Sequence, residues 1–279
     1  MIVPRHAAGM PIHIADWQHF HGPLIAFGVA LGLAVLGRFL RAGLVAAAAG
    51  GVGVLAGWFV LTGRLWAVPP PVSLDALTGL AAATLLIGLL CTWRGHERLT
   101  AVGMLAAAMI AGWLMAGAPR HLAALRGSWP IGLGVALAAF VFARALTDPT
   151  RLALAGPTLA AALHIAGTPP IWMQLALVPG LAALAMFVLP AAAGLVALPV
   201  AVDVAGLASL SVIALGRLPR LGFAPVDAAA LSPLLAVWLL PRAEERLRRI
   251  GRAAPLAGGL LAGVIAVGCV WVVRQLLRH

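Results

Sequence analysis

Of the 279 residues, 63% are apolar and only 10% are charged, against roughly half and a quarter in a soluble domain. So little charge cannot clothe a water-exposed surface, and so much apolarity cannot stay unfolded. A soluble enzyme and a disordered chain are therefore both excluded. The net charge of +11 does not mark nucleic-acid binding, because the arginines fall at the ends of apolar stretches, as topology and headgroup anchors do.

All 19 basic residues are Arg, and Lys, Tyr and Asn are absent, which is the codon signature of a high-GC, bacterial genome. An apolar stretch of about 20 residues crosses a bilayer as a helix. Residues 1–21 lack the apolar run and cleavage site of a secretory signal and read as a polar interfacial lead-in. The expected spans are then 22–37, 42–63, 76–93, 99–118 and 129–143. An amphipathic connector with Arg120, His121 and Arg126 precedes the fifth.

From Leu152 to Gly216 there is no arginine and one acid, Asp203. Pro169-Pro170 and Pro190 divide this stretch into 152–167, 171–189 and 191–216, since proline lacks the N–H that a helix interior needs. The ninth span covers 227–240, a charged run from Arg242 to Arg252 follows, and 255–273 is the tenth.

The expected fold is thus all-α, a single integral domain of about ten transmembrane helices with short loops. Barrel strands would be shorter and alternating, and Trp17, Trp66, Trp93, Trp129, Trp172 and Trp271 near span ends suit an interfacial belt. Ten spans put eleven arginines on one side and eight on the other. The positive-inside rule then places the 242–252 run in the cytoplasm and both termini in the periplasm of a bacterial inner membrane.

Small-residue pairs one turn apart, Gly28/Gly32, Gly53/Gly57 and Gly259/Gly263, predict close helix packing. Gly28–Leu40 matches Gly134–Leu146 at seven of thirteen positions, which suggests a parallel four-span duplication.

An ionisable group at membrane depth is costly and is by default a functional candidate. Asp203 lies midway along 191–216, four residues after Pro199, where it could load and unload a proton. His164 in the sixth span is a candidate relay to it, and Gln174 and Thr158 could line the same cavity. His13, Asp16, His19 and His21 are weak metal candidates, without the i, i+4 pairing of a built site. Cys91 and Cys269 have no CxxC partner, and a lone His164 cannot supply paired haem ligands, so no cofactor is expected.

Glu244-Glu245-Arg246-Leu247-Arg248-Arg249 fits the EExxxR string of intramembrane CAAX-type proteases. The later FxxxH and HxxxN motifs of those enzymes are missing, and the run reads instead as a solvated, salt-bridged turn. In architecture alone the chain resembles the size class of ten-helix drug/metabolite exporters.

The leading expectation is a secondary transporter or exporter of a small solute. Its site would lie at the midplane in helices 152–216, with Asp203, His164 and Gln174 for substrate and proton coupling. One alternative is a non-catalytic subunit or scaffold of a larger membrane complex. Another is a lipid- or polyprenol-modifying enzyme using Asp203, Asp227 or the outer histidines. The expected partners are the lipid bilayer, a small solute with protons, or neighbouring membrane proteins, and not nucleic acid.

Overall fold

Ala- and Leu-rich stretches have high helix propensity and few side chains that compete for backbone groups. In the computed structural model, which describes residues 20–63, 76–94, 97–146, 149–189, 225–247 and 254–277, every regular element among them is accordingly helical. The helices are α1 His21–Phe39, α2 Gly43–Thr62, α3 Ala76–Arg94, α4 Glu97–Met115, α5 Leu122–Ala145, α6 Pro149–Ala166, α7 Pro170–Val188, α8 Pro225–Leu247 and α9 Ala254–Leu276.

Four are long and apolar enough to cross a membrane, namely α1, α2, α7 and residues Ala257–Leu276 of α9, with the bent α5 as a fifth when its halves count together. The expectation of ten is therefore not met among the described residues. α3 and α4 supply only the shorter apolar segments Ala81–Leu90 and Ala101–Leu114. α6 is diluted by Thr150, Arg151, Gly156, Pro157 and His164, and α8 by Ser232 and its charged last turns. The expected span 191–216 and most of the lead-in 1–21 lie outside the described residues.

Two boundaries differ from expectation for a physical reason. α5 begins at Leu122, so the expected connector is already helix, and Leu122–Pro130 meets Gly132–Val141 at 53°. Pro130 has no N–H for the Arg126 carbonyl, and this is where the helix bends. α8 runs through Pro241 to Leu247, so Arg242–Arg246 form helical turns and not a loop.

The core is built of small side chains. On α1 the buried stripe is Gly22, Ala26, Ala30, Ala34 and Gly37, and α2 meets it with Ala46, Gly53 and Gly57. A Cβ at Gly53 would stand 2.6 Å from the Ala26 carbonyl oxygen, and one at Gly57 would stand 2.8 Å from that of Gly22. Backbone touches backbone there, as small-residue packing allows. Gly28 and Gly32 are on the other side of α1, exposed, with no atom within 4 Å of where a Cβ would sit. Gly259 and Gly263 meet Leu154 and Thr158 of α6 at 3.2–3.9 Å. The suggested duplication is not matched, since α1 packs along α2 whereas its counterpart α5 packs on α4 and not along α6.

Helix directions follow from these contacts and from the short turns. α1 and α2 are antiparallel, Gly37 meeting Ala46 and Gly22 meeting Leu61. α6 and α7 form a hairpin through Gly167, whose φ of 78° suits glycine, and the Thr168 N–H closes the turn on the Leu163 carbonyl at 3.1 Å. α9 runs parallel to α6, with Gly263 beside Thr158 and Arg274 beside Gly167. α8 runs antiparallel to α9, with Glu244 against Gly258. Consequently α7 ends and α8 begins at opposite ends of the bundle.

One end carries the α1–α2, α3–α4, α5–α6 and α8–α9 junctions, and with them Arg38, Arg41, Arg94, Arg98, Arg144, Arg151, Arg242 and Arg246. The other end, with the α4–α5 and α6–α7 turns, carries Arg120, Arg126 and Arg274 among the described residues.

Candidate functional site

The α6–α7 hairpin holds the described part of the expected site. Its helices cross at Gly156 and Gly180, where a Cβ on Gly156 would lie 2.6 Å from the Gly180 Cα. Each glycine has a proline beside it, Pro157 after Gly156 and Pro179 before Gly180. A proline inside a helix leaves the carbonyl four residues earlier without its N–H. The two freed carbonyls are those of Ala153 and Leu175.

Leu175 is supplied from α2. The indole Nε1–H of Trp58 donates to its carbonyl at 3.2 Å, in a wholly buried position. The same solution recurs within α8, where Pro233 frees the Ala229 carbonyl and the buried Ser232 hydroxyl donates to it at 2.7 Å. Buried polar groups need such partners, more so where water is excluded.

His164 is exposed, in the last turn of α6, and the half-buried Gln174 is in the second turn of α7. The hairpin thus brings both toward its turn and not to its middle. Thr158 is buried at mid-helix, and its hydroxyl donates to the Leu154 carbonyl one turn back at 2.8 Å. Asp203 lies outside the described residues, as do His13, Asp16 and His19, while His21 opens α1 and is exposed. Among the described residues no three His, Cys, Asp or Glu side chains gather to hold a metal ion. Cys269 is exposed on α9.

Arginines expected only as headgroup anchors also cap helices. Arg274 Nη1 donates to the Ile165 carbonyl in the last turn of α6. Arg151 Nη1 donates to the Ala145 carbonyl at the end of α5, at 3.3 Å. The last carbonyls of a helix lack internal partners and carry partial negative charge, so a guanidinium is well placed at either.

Sequence reading missed Trp58 and Arg274. The signal for Trp58 was available, since Pro179 fixes which carbonyl is orphaned and Trp58 lies within a span and not at its boundary. What the sequence could not supply was that α2 passes α7 at that level.

No protein-family model, no curated protein and no solved structure matches the chain. The described residues define an all-helical protein with four to five helices able to cross a membrane.

Proposed function

We propose that the chain is a polytopic protein of a bacterial inner membrane that crosses the bilayer ten times and acts as a secondary carrier or exporter of a small solute. The membrane reading is supported by the outer surface, where Phe39, Leu122, Leu260 and Leu276 are 70–84% exposed. A soluble monomer rarely leaves this many large apolar side chains open to water. The opposite placement of the end of α7 and the start of α8 suits an odd number of crossings between them, in keeping with the one span expected from the sequence there. The arginine-rich α1–α2 end is then cytoplasmic.

The observation that carries the carrier reading is the crossing of α6 and α7 at Gly156 and Gly180. Both helices carry an internal proline at the level where their backbones touch, and each continues through it with one helical hydrogen bond missing. Carriers build their sites where helical hydrogen bonding is relaxed at membrane depth, and the two missing bonds here are the first step toward that. A contact of backbone on backbone lets one helix rock on the other without dragging large side chains. Asp203, in the segment that follows α7, is the proton-coupling group, with His164 and Gln174 nearer the mouth.

The test is proton-coupled solute flux in proteoliposomes loaded with a pH-sensitive dye, scanned across small-solute classes. Asp203→Asn is expected to insert normally and to lose coupled flux. Normal accumulation in that variant would remove Asp203 from the mechanism.

A second reading, a non-catalytic subunit of a membrane complex, is favoured by one observation. The buried hydroxyls of Thr84, Thr158 and Ser232 all donate to carbonyls of their own helices, so none of the three offers its proton to a solute. A stoichiometric partner retained through mild-detergent purification from native membranes would support the subunit; a lone monomer or homodimer would support the carrier.

A further inference from the structure

α8 does not stop at Pro241, and that continuation has a consequence for Arg242 and Arg246. At positions i, i+4 and i+8, Trp238, Arg242 and Arg246 form one stripe along the helix. All three are exposed, Trp238 to 58%. Helical side chains lean toward the helix N-terminus, and Arg242 does so. Its guanidinium carbon lies 3.9 Å from the centroid of the Trp238 ring, and Nη1 donates to the Trp238 carbonyl at 3.1 Å.

The guanidinium is therefore held over an aromatic platform, with one of its five N–H donors used on the Trp238 carbonyl. Arg246 adds a second cation one turn further on. Glu245 is also exposed near this stripe, yet among the described residues neither arginine makes an ion pair with it or with Glu244. The stripe lies at the end of the bundle richest in arginine, and the sequence continues with Arg248, Arg249 and Arg252.

An exposed indole with guanidinium groups at the boundary of an apolar helix matches a phosphate on a glycerol backbone. The ring takes the acyl–glycerol region, and the planar forks take the phosphate oxygens. We infer that the Trp238–Arg242–Arg246 stripe binds the headgroup of an anionic phospholipid. This rests on the membrane reading above, since a lipid reaches the stripe only from a bilayer.

The experiment is binding of labelled phosphatidylglycerol to the full chain purified in mild detergent, with unlabelled phosphatidylglycerol, phosphatidylcholine or inorganic phosphate as competitors. A Lys or Arg near an anionic surface contributes about 1 kcal/mol. R242Q/R246Q is therefore expected to weaken binding about thirtyfold. Trp238→Leu keeps both charges and is expected to weaken it about two- to fivefold. R38Q/R41Q, which removes equal charge from the same end, is expected to leave it within twofold.

Unchanged binding in R242Q/R246Q, an equal loss in R38Q/R41Q, or competition by phosphatidylcholine or inorganic phosphate as strong as by phosphatidylglycerol would each overturn the inference. Membranes from the same cells are washed with alkaline carbonate. A chain that stays in the pellet while its lipid binding ignores residues 242 and 246 sinks this inference alone. A chain released into the supernatant sinks the membrane reading as well.

Discussion

The indole of Trp58 on α2 is hydrogen-bonded to the carbonyl of Leu175 on α7, the one carbonyl that Pro179 deprives of its helical partner. One helix thus carries a break, and its neighbour carries the repair. Trp58 is fully buried and Pro179 is buried with it, so no water reaches the carbonyl in place of the indole.

This pairing makes a double-mutant prediction. Trp58→Phe keeps most of the ring volume and leaves the Leu175 carbonyl unsatisfied, at an expected cost of about 1–2 kcal/mol. Pro179→Ala restores the N–H that the carbonyl lacks. In that background Trp58→Phe should cost less, by about 1 kcal/mol, when unfolding is followed by thermal or detergent titration. Equal costs in both backgrounds would mean that the carbonyl has another donor.

Gly53 and Gly28 provide a matched pair on the α1–α2 hairpin. Gly53→Ala drives a methyl to 2.6 Å from the Ala26 carbonyl oxygen and 2.9 Å from the Ala30 Cβ, so the helices must separate, at an expected 1–3 kcal/mol. Gly28→Ala meets nothing within 4 Å and should be neutral or stabilising by up to about 1 kcal/mol through helix propensity. A comparable loss at both sites would show that the open face of α1 is covered in the folded protein.

Arg274 ties the end of α9 to the end of α6 through the Ile165 carbonyl. Arg274→Gln removes the charge and weakens the contact, with an expected loss of about 1 kcal/mol that shrinks as salt rises. Arg274→Leu should cost more, because the terminal carbonyl is then left bare. A salt-independent effect of the Gln variant would argue that packing, not charge, dominates there.

The bundle directions make a topological prediction. Reporter fusions at Leu189 and at Pro225 should report opposite sides of the membrane. In the orientation proposed above, a periplasm-active phosphatase should be silent at the first and active at the second. The same readout at both positions would leave an even number of crossings between them and end the ten-span count.

How much was legible beforehand differs from helix to helix. The ends of α1, α2, α3 and α7 were readable to within about two residues, because Arg, Gly and paired prolines bracket apolar runs there. α5 and α8 were misread for one reason: polar residues and an internal proline look like a boundary in sequence, although helices cross both. The outcome depends on whether the carbonyl freed by the proline finds another partner, and that is a tertiary matter.

The tight face of α1 was also hidden. The Gly28/Gly32 spacing is the more conspicuous motif, yet the buried stripe is Ala26, Ala30 and Ala34 with glycines at its ends. Small residues permit close approach on any face they occupy, and only the position of the neighbouring helix decides which face is used. Of the candidate site, the sequence named His164 and Gln174 but not their place near the α6–α7 turn.

By itself, then, the sequence determined the element type and which runs are apolar enough to cross a membrane. Long apolar runs with few charges leave a helix as the only way to satisfy the backbone, and that follows from composition and length. Which face of each helix is buried, which carbonyl is rescued by Trp58, which helix ends Arg151 and Arg274 cap and how Arg242 lies on Trp238 were decided only in the tertiary structure. Those relations join residues up to 117 positions apart or depend on where a helix ends, and neither is contained in local propensity.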